Sequence, residues 1–139
     1  MLLLDTHVLV WSVEGDVRRI GRRTRQWLSR AESTESIRVS PATLFELTAL
    51  HTLGRLRLTR PPEEWIRGSL EAAGVRMAEF SAAIAIDAGH IPRDALADPL
   101  DRILVATARR LDATFMTSDT RILEYAAHTN NVRAHDARL

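Results

Sequence analysis

The segment Leu2-Leu3-Leu4-Asp5, in which three leucines are followed directly by an acid, decides the fold. Three apolar residues are too few for a helix, and they predict a strand buried on both faces, as strands are in a parallel sheet. Asp5 would then stand at the carboxyl end of that strand. Because open α/β sheets bind ligands at the carboxyl ends of their strands, Asp5 is a candidate functional residue, although it could simply cap the next helix.

Strand-like and helix-like segments alternate along the rest of the chain. Further strands are predicted at residues 37–39, 75–80 and 114–117, with a last one near Val132-Arg133-Ala134. Helices are predicted over residues 7–13, from Gly15-Asp16 through Ala31, from Ser40-Pro41 to about Leu53, over 63–73, from Ser81 through Ala88, from Asp98-Pro99 to Leu111, and over 120–127. This alternation indicates an α/β fold with a mainly parallel sheet, and a chain of 139 residues is most simply one domain.

The composition is that of an ordinary globular protein, and it excludes several kinds of active site. Hydrophobic residues make up 45% of the chain and charged residues 27%, and the formal net charge of +1 identifies no class of partner. The absence of cysteine excludes disulfides, thiolate zinc sites and cysteine nucleophiles. The absence of lysine excludes a P-loop lysine, a Schiff base and a Ser-Lys dyad.

Nothing in the sequence indicates a membrane or secreted protein. No apolar run approaches the ~20 residues that a helix needs to span a membrane. The start of the chain, Met1-Leu2-Leu3-Leu4, lacks the basic leader of a signal peptide and meets an acid at once. We therefore expect a cytoplasmic protein.

Four acids stand where a solitary carboxylate would be unfavourable: Asp5 and Asp119 after predicted strands, Glu46 within the apolar face of a helix, and Asp101 in the first turn of another helix. The strand ends and these helices should meet at one edge of the sheet. Carboxylates brought together there repel one another, and proteins usually offset such repulsion by binding a hard divalent cation. The pattern indicates a metal-dependent hydrolase.

Some of these acids also have a purely structural explanation. Asp119, like Asp5, could be only a helix cap, although the hydroxyls of Ser118 and Thr120 beside it would add oxygens to a site. Asp98 is a good cap for the helix that contains Asp101. The helix dipole favours an acid at the position of Asp101, which lies one place round from the apolar stripe and can project toward the strand ends.

Glu46 is harder to explain structurally. It shares a predicted helical face with Ala42, Phe45, Ala49 and Leu53. An unpaired buried glutamate would cost several kcal/mol and would rather take up a proton. A structural pair with an arginine is an alternative, but the pattern favours a metal-facing role.

These motifs resemble those of a PIN-domain ribonuclease, and in particular those of a VapC-type toxin from a type II toxin–antitoxin pair. They occur in the family's order and spacing and span nearly the whole chain. The matching residues are Leu3-Leu4-Asp5-Thr6-His7 with Val10-Trp11, Ser40 to Glu46 in the pattern S-P-x-T-x-x-E, Asp98 to Ala108 in the pattern D-P-x-D-R-x-L-x-A-x-A, and Thr117-Ser118-Asp119. The block that begins at Asp98 is the most specific of them.

The resemblance implies a compact three-layer α/β/α domain around a central parallel sheet, with an acidic Mg²⁺ or Mn²⁺ site that cleaves RNA endonucleolytically. By motif position, the family's four acids fall on Asp5, Glu46, Asp101 and Asp119. Asp98 is an extra acid that either supports these four or serves as an alternative ligand. The resemblance also implies a homodimer and an antitoxin protein, which silences the enzyme by laying a segment across the acidic groove.

An acidic site that cleaves RNA needs basic groups around it, because its substrate is a polyanion. The candidates for phosphate contacts are Arg18, Arg19, Arg22, Arg23, Arg25, Arg93 and Arg102. Arg102 could instead pair with the neighbouring acids. Each of the others could equally belong to the solvated face of an amphipathic helix.

The alternative from another class of function is a PIN-like module that binds RNA or protein without cleavage. A metal-dependent cleavage assay separates the two hypotheses. A phospho-accepting aspartate of the receiver type would need a later lysine, which this chain lacks. The chain also lacks the G-x-S-x-G turn of serine hydrolases, and Asp5-Thr6-His7 is not the D-x-D of haloacid-dehalogenase-type phosphatases.

Overall fold

Five strands and seven helices follow one another in the computed structural model, which describes residues 1–139. In chain order they are β1 (Leu2–Leu4), α1 (Thr6–Glu14), α2 (Arg22–Ser33), β2 (Ile37–Val39), α3 (Pro41–Thr52), α4 (Pro62–Leu70), β3 (Val75–Met77), α5 (Ala82–His90), α6 (Pro99–Leu111), β4 (Thr114–Thr117), α7 (Thr120–Thr129) and β5 (Arg133–Asp136). None of the helices is both long and apolar enough to cross a bilayer.

The strands form one sheet in the order β3-β2-β1-β4-β5, and every neighbouring pair is parallel. Helices cover both faces of this sheet. One apolar core lies under α1, α2 and α4, and a second lies under α6 and α7. The predicted three-layer α/β/α fold with a parallel sheet is confirmed.

The central strand β1 is buried on both faces, as its sequence predicts. Leu3 is fully buried in the core under α6 and α7. Leu2 and Leu4 belong to the core on the opposite face. Because full burial of a leucine contributes about 1.5–3 kcal/mol, these side chains hold the strand firmly in the sheet, and with it the position of Asp5 at its carboxyl end.

The second helix begins later than the sequence predicts. Gly15 has a left-handed conformation with φ 69°, and its N–H donates to the carbonyls of Ser12 and Trp11. A glycine in this conformation ends a helix. Residues 16–20 form turns, and α2 begins at Arg22. The prediction that Gly15-Asp16 opens this helix was wrong because this glycine terminates the preceding one.

Two strands also differ from their predicted lengths. β3 ends at Met77 rather than at Phe80, because β2, its only partner, ends at Val39. β5 continues to Asp136, because it stays paired with β4 as far as Thr117.

Gly74 holds the turn between α4 and β3. Helix α4 ends at Leu70 rather than at the predicted Ala73, and Gly74 then adopts φ 77°, a conformation that other residues rarely reach. A Cβ atom added to Gly74 would lie 2.5 Å from the Cα atom of Glu32 in α2. The Gly74 carbonyl also accepts the N–H of Ile37 at 3.0 Å, which ties this turn to the start of β2.

Replacing Gly74 with alanine should therefore lower the free energy of unfolding by about 2–3 kcal/mol, measured by urea denaturation. Gly89→Ala is the matched control, because Gly89 lies in α5 and an added Cβ meets nothing within 4 Å. The control should keep or raise the stability, by up to about 1 kcal/mol. Equal unfolding free energies for the two variants would show that the turn does not require glycine.

Candidate active site

The carboxyl ends of β1 and β4 place two acids side by side. The two strands are paired in register as far as Leu4 opposite Met116. Asp5 and Asp119 follow these strands, and the N–H of Asp5 donates to the carbonyl of Met116 at 3.0 Å. Asp5 is also the N-cap of α1, and Asp119 is the N-cap of α7. Capping leaves lone pairs on each carboxylate available, so it does not exclude a chemical role.

Thr117, the last residue of β4, connects these two acids. Its hydroxyl donates to Asp5 Oδ2 at 2.6 Å and accepts the N–H of Asp119 at 3.0 Å. The other carboxylate oxygen of Asp5 accepts the N–H of Thr6 at 2.8 Å. Burial raises the pKa of Asp5, and the charge of Asp119 raises it further, while the hydrogen bonds from Thr117 and Thr6 and the nearby His7 oppose that rise.

Asp101 enters the same site from the first turn of α6. Its side chain is buried, with 7% of its surface exposed, and its carboxylate accepts no hydrogen bond. Burial and then the charges of Asp98, Asp5, Asp119 and Glu46, in that order, raise the pKa of Asp101 to about 7. These charges can act on Asp101 only because all five acids lie at one edge of the sheet.

Glu46 reaches this edge from α3 and is partly exposed. The prediction of a buried apolar face around it was wrong, because Phe45 is 65% exposed and Leu53 is 66% exposed. Burial and then the charge of Asp5 raise the pKa of Glu46. Glu46 forms no salt bridge, so the alternative of a structural pair with an arginine is not realised.

Asp98 has the structural role that its position predicts. It is exposed, and its Oδ1 atom accepts the N–H of Leu100 at 2.8 Å as the N-cap of α6. Arg102 does not pair with the acids. Its Nη2 atom donates to the carbonyl of Ala97 at 3.5 Å, and its Nε atom is buried without a partner.

Two side chains contact the acids in a way that the sequence did not predict: Thr117, which the motif Thr117-Ser118-Asp119 contains but to which no role was assigned, and Arg121. Arg121 is the basic group that contacts these acids, with its Nη2 atom 3.3 Å from Asp119 Oδ2 and its backbone N–H 2.9 Å from Asp119 Oδ1. Their position in the sequence could have indicated these contacts, since each residue lies two positions from Asp119. The hydroxyls of Ser118 and Thr120, which were predicted to add oxygens, form no hydrogen bond.

The first turn of α2 lies at the same edge of the sheet as the acids. The N–H of Gly21, which precedes this helix, donates to the carbonyl of Ala137 immediately after β5. Most of the arginines predicted for phosphate contacts are exposed and form no salt bridge: Arg18, Arg22, Arg23, Arg25 and Arg93. Arg19 pairs with Asp16 at 3.3 Å.

The ligand atoms at this edge suit a hard divalent cation that keeps much of its water. They are carboxylate and hydroxyl oxygens, and the buried hydroxyl of Thr6 has no hydrogen-bond partner. This hydroxyl lies near the carboxylate of Glu46. No three acidic or histidine side chains lie close enough to enclose an ion by themselves. Magnesium is commonly bound through one or two carboxylates plus water, so the residues present fit such an ion.

The PIN domain family model matches residues 2–128, and the chain therefore belongs to the PIN-domain family. The chain is similar to Ribonuclease VapC22 from Mycobacterium tuberculosis (strain ATCC 25618 / H37Rv). The two are 28% identical over 121 residues, which cover 87% of this chain and 88% of that protein. These matches confirm the resemblance to VapC-type PIN domains.

Crystal structures of two related complexes share the fold. One is VapBC2 from Rickettsia felis bound to a DNA fragment from their promoter, with a TM-score of 0.65, 15% identity, and 97% of each chain covered. The other is DNA-bound VapBC from Salmonella typhimurium, with a TM-score of 0.65, 20% identity, and coverage of 97% of this chain and 96% of that one. At sequence identities of 15% and 20%, this structural similarity shows that the fold is shared.

The raised pKa of Asp101 makes the metal-free protein less stable as the pH rises. Asp101 ionises near 3.8 in the unfolded chain and at about 7 in the folded protein. Between these values the unfolded state loses a proton that the folded state retains, so stability falls from pH 4 to pH 7 and is level above. In EDTA, Asp101→Asn should exceed wild type in unfolding free energy at pH 8, by on the order of 3 kcal/mol.

Urea denaturation of both proteins at pH 4, 6 and 8 measures this effect, and the gain should disappear at pH 4. Glu71→Gln, which changes an exposed acid at the end of α4, is the control and should show no such gain. A difference between Asp101→Asn and wild type that is the same at all three pH values would contradict the raised pKa.

Proposed function

We propose that this chain is a metal-dependent endoribonuclease, the toxin component of a toxin–antitoxin system, which acts in the cytoplasm as one PIN-like domain over residues 1–139. The observation that carries the proposal is the environment of Asp101, which is 7% exposed, accepts no hydrogen bond and is surrounded by other acids. Such a carboxylate is stable only with a proton or a cation. Membership of the PIN-domain family and similarity to Ribonuclease VapC22 support the reaction class.

Four acids would hold Mg²⁺ or Mn²⁺: Asp5, Glu46, Asp101 and Asp119. Asp101 is the strongest candidate for direct ligation because no donor occupies its oxygens. Asp5 is the second, because Thr117 and Thr6 already fix the orientation of its carboxylate. A bound divalent ion would supply Lewis-acid chemistry: it would polarise a phosphoryl oxygen and lower the pKa of water, so that the water could lose a proton and attack phosphorus near neutral pH.

The side chains around the ion would orient the reacting groups and move a proton. Glu46 is partly exposed and has a raised pKa, so it is a stronger base than an ordinary glutamate and can accept the proton of the attacking water. The side chain of Arg121 is 75% exposed, and its contact with Asp119 is long at 3.3 Å. Its guanidinium can therefore exchange that carboxylate for a phosphate oxygen of the RNA.

The arginines of α2 would bind the RNA backbone further from the acids. They are exposed, unpaired, and begin at the helix end that lies beside β5. An RNA strand that runs from these arginines to the acids would follow the carboxyl edge of the sheet. The net charge of +1 does not prevent this binding, because α2 itself carries four arginines and a single acid and is therefore locally positive.

A homodimer and an antitoxin partner complete the proposal. Large apolar side chains are exposed on or just after α3 and near or within α5, namely Phe45, Leu53, Phe80 and Ile86. Contiguous exposed apolar patches are typical of surfaces that other proteins cover, and these side chains are candidates for such surfaces in the homodimer or under the antitoxin. The similar folds crystallised as VapBC complexes support a VapB-like antitoxin as one of these partners.

The purified chain should cut a structured RNA pool in Mg²⁺ or Mn²⁺ and should stop cutting in EDTA. Asp5→Asn should abolish cleavage. Asp101→Ser and Asp98→Ser make the same change at the start of α6, and Asp98→Ser keeps the N-cap because serine caps a helix about as well as aspartate. Asp101→Ser should lose at least about 100-fold in rate, whereas Asp98→Ser should keep most of the activity.

Circular dichroism and urea denaturation of each variant show whether the fold is retained. Cleavage by Asp5→Asn and Asp101→Ser at the wild-type rate would overturn the proposed site. Binding of RNA by the wild type without cleavage in either metal would favour the alternative function of a PIN-like binding module.

A further inference from the structure

A cleft of about 470 Å³ opens beside Asp101, within the usual size range of ligand sites. One wall is the loop over residues 94–98, and the other is a face of α7. Asp101 and Arg121 lie at the end of the cleft that meets the acidic site. Glu124 and His128 follow on α7 at helical spacing, so they lie on the same face of that helix.

The charge of the cleft disfavours phosphate. Its lining includes the carboxylates of Asp94, Asp98, Asp101 and Glu124, against one arginine, Arg121. That arginine already contacts Asp119. The rest of the cleft suits a ligand that carries no negative charge and donates hydrogen bonds.

Two hydrogen-bond acceptors on α7 are free. The carboxylate of Glu124 forms neither a salt bridge nor a hydrogen bond. His128 Nδ1 is 2.8 Å from the carbonyl oxygen of Glu124. Because a carbonyl only accepts, Nδ1 carries the proton, and Nε2 of the neutral ring is an acceptor. Both residues are exposed, so a ligand can reach them.

The walls of the cleft also include apolar residues. Tyr125, Ala95, Leu96 and Ala97 contribute apolar surface between the polar groups. The ring of Tyr125 is held by its packing, with 7% of the residue exposed, and its hydroxyl accepts a hydrogen bond from Asn131 Nδ2 at 3.3 Å. Unstacked bases of single-stranded RNA are bound in this way, against aromatic or apolar surface with their edges hydrogen-bonded.

We propose that this cleft binds the nucleobase next to the scissile phosphate and that Glu124 and His128 select it by accepting its hydrogen bonds. Guanine presents an imino and an amino donor side by side, which match one carboxylate. Uracil presents a single donor between two acceptors. Guanine should therefore be the most favoured base and uracil the least. The position next to the scissile phosphate rests on the proposed nuclease function, whereas binding of the base itself does not.

Binding is tested without metal, by NMR titration of the protein in EDTA with guanosine, adenosine, cytidine and uridine. Guanosine should shift the amide signals of α7 and of residues 94–98 most strongly. Glu124→Gln should weaken guanosine binding about tenfold. Glu71→Gln is the matched control, and His90→Ala is the control for His128→Ala, because both control residues are exposed and lie outside the cleft.

A parallel titration with N-acetylarginine amide tests whether the cleft instead receives a cationic protein side chain. Shifts at the cleft with this probe and none with the nucleosides would overturn the proposal.

Selection is tested by mapping cleavage in a random-sequence RNA pool. Glu124→Gln and His128→Ala should keep cutting but should lose the guanine preference beside the cut, while both control variants keep it. Unchanged cleavage maps in active variants would overturn the inference and leave the nuclease proposal standing. Guanosine shifts that Glu124→Gln removes, in a wild type that cuts no RNA, would support the base site and overturn the nuclease.

Discussion

The parallel pairing of β1 with β4 is the constraint on which the site depends. It brings Asp5 and Asp119 out of neighbouring strands at the same edge, and Thr117 then joins them through its hydroxyl. Neither strand can shift, because β1 is buried on both faces and Leu3 lies in a filled core. A hydrophobic constraint therefore fixes the positions of charged groups that would otherwise move apart.

The same constraint makes the ionised forms of these acids unfavourable in the folded protein, and it also prepares them to bind a ligand. Burial raises the pKa of Asp5, Glu46 and Asp101, and the charges of the neighbouring acids raise these values further. Two hydrogen bonds partly offset the cost of burying the Asp5 carboxylate, whereas the Asp101 carboxylate accepts none. Ionisable groups with raised pKa values are common at functional sites. A bound ligand can offset the burial and mutual repulsion of the carboxylates there.

Local patterns were sufficient to predict the parallel α/β fold and to locate the four acids. The strand positions followed from short apolar runs, and the acids stood out because they ended or interrupted such runs. The exposed face of α3 was not predictable, because its apolar side chains have the same spacing whether they meet a core or solvent. Phe45 and Leu53 are apolar and exposed, so Glu46 lies at the rim of the site and not inside a core.

The features that the sequence did not reveal depend on distant contacts. Thr117 looked like an ordinary strand residue until the pairing with β1 placed Asp5 beside it. Arg121 became part of the site only because α7 starts at Asp119. The cleft along α7 exists because the loop over residues 94–98 packs opposite this helix, and no local pattern specifies that contact.

The central claim is that these acids form one cation site whose empty form is partly protonated. Calorimetric titration with Mn²⁺ at pH 6 and pH 8, in buffers of different ionisation enthalpy, tests it most directly, because binding must displace the proton of Asp101. With a pKa of about 7 for Asp101, wild type should release up to about one proton per bound ion at pH 6 and far less at pH 8. Asp101→Asn should bind more weakly and release no such proton. Identical affinity and proton release in the two proteins, or no Mn²⁺ binding by wild type, would contradict the claim.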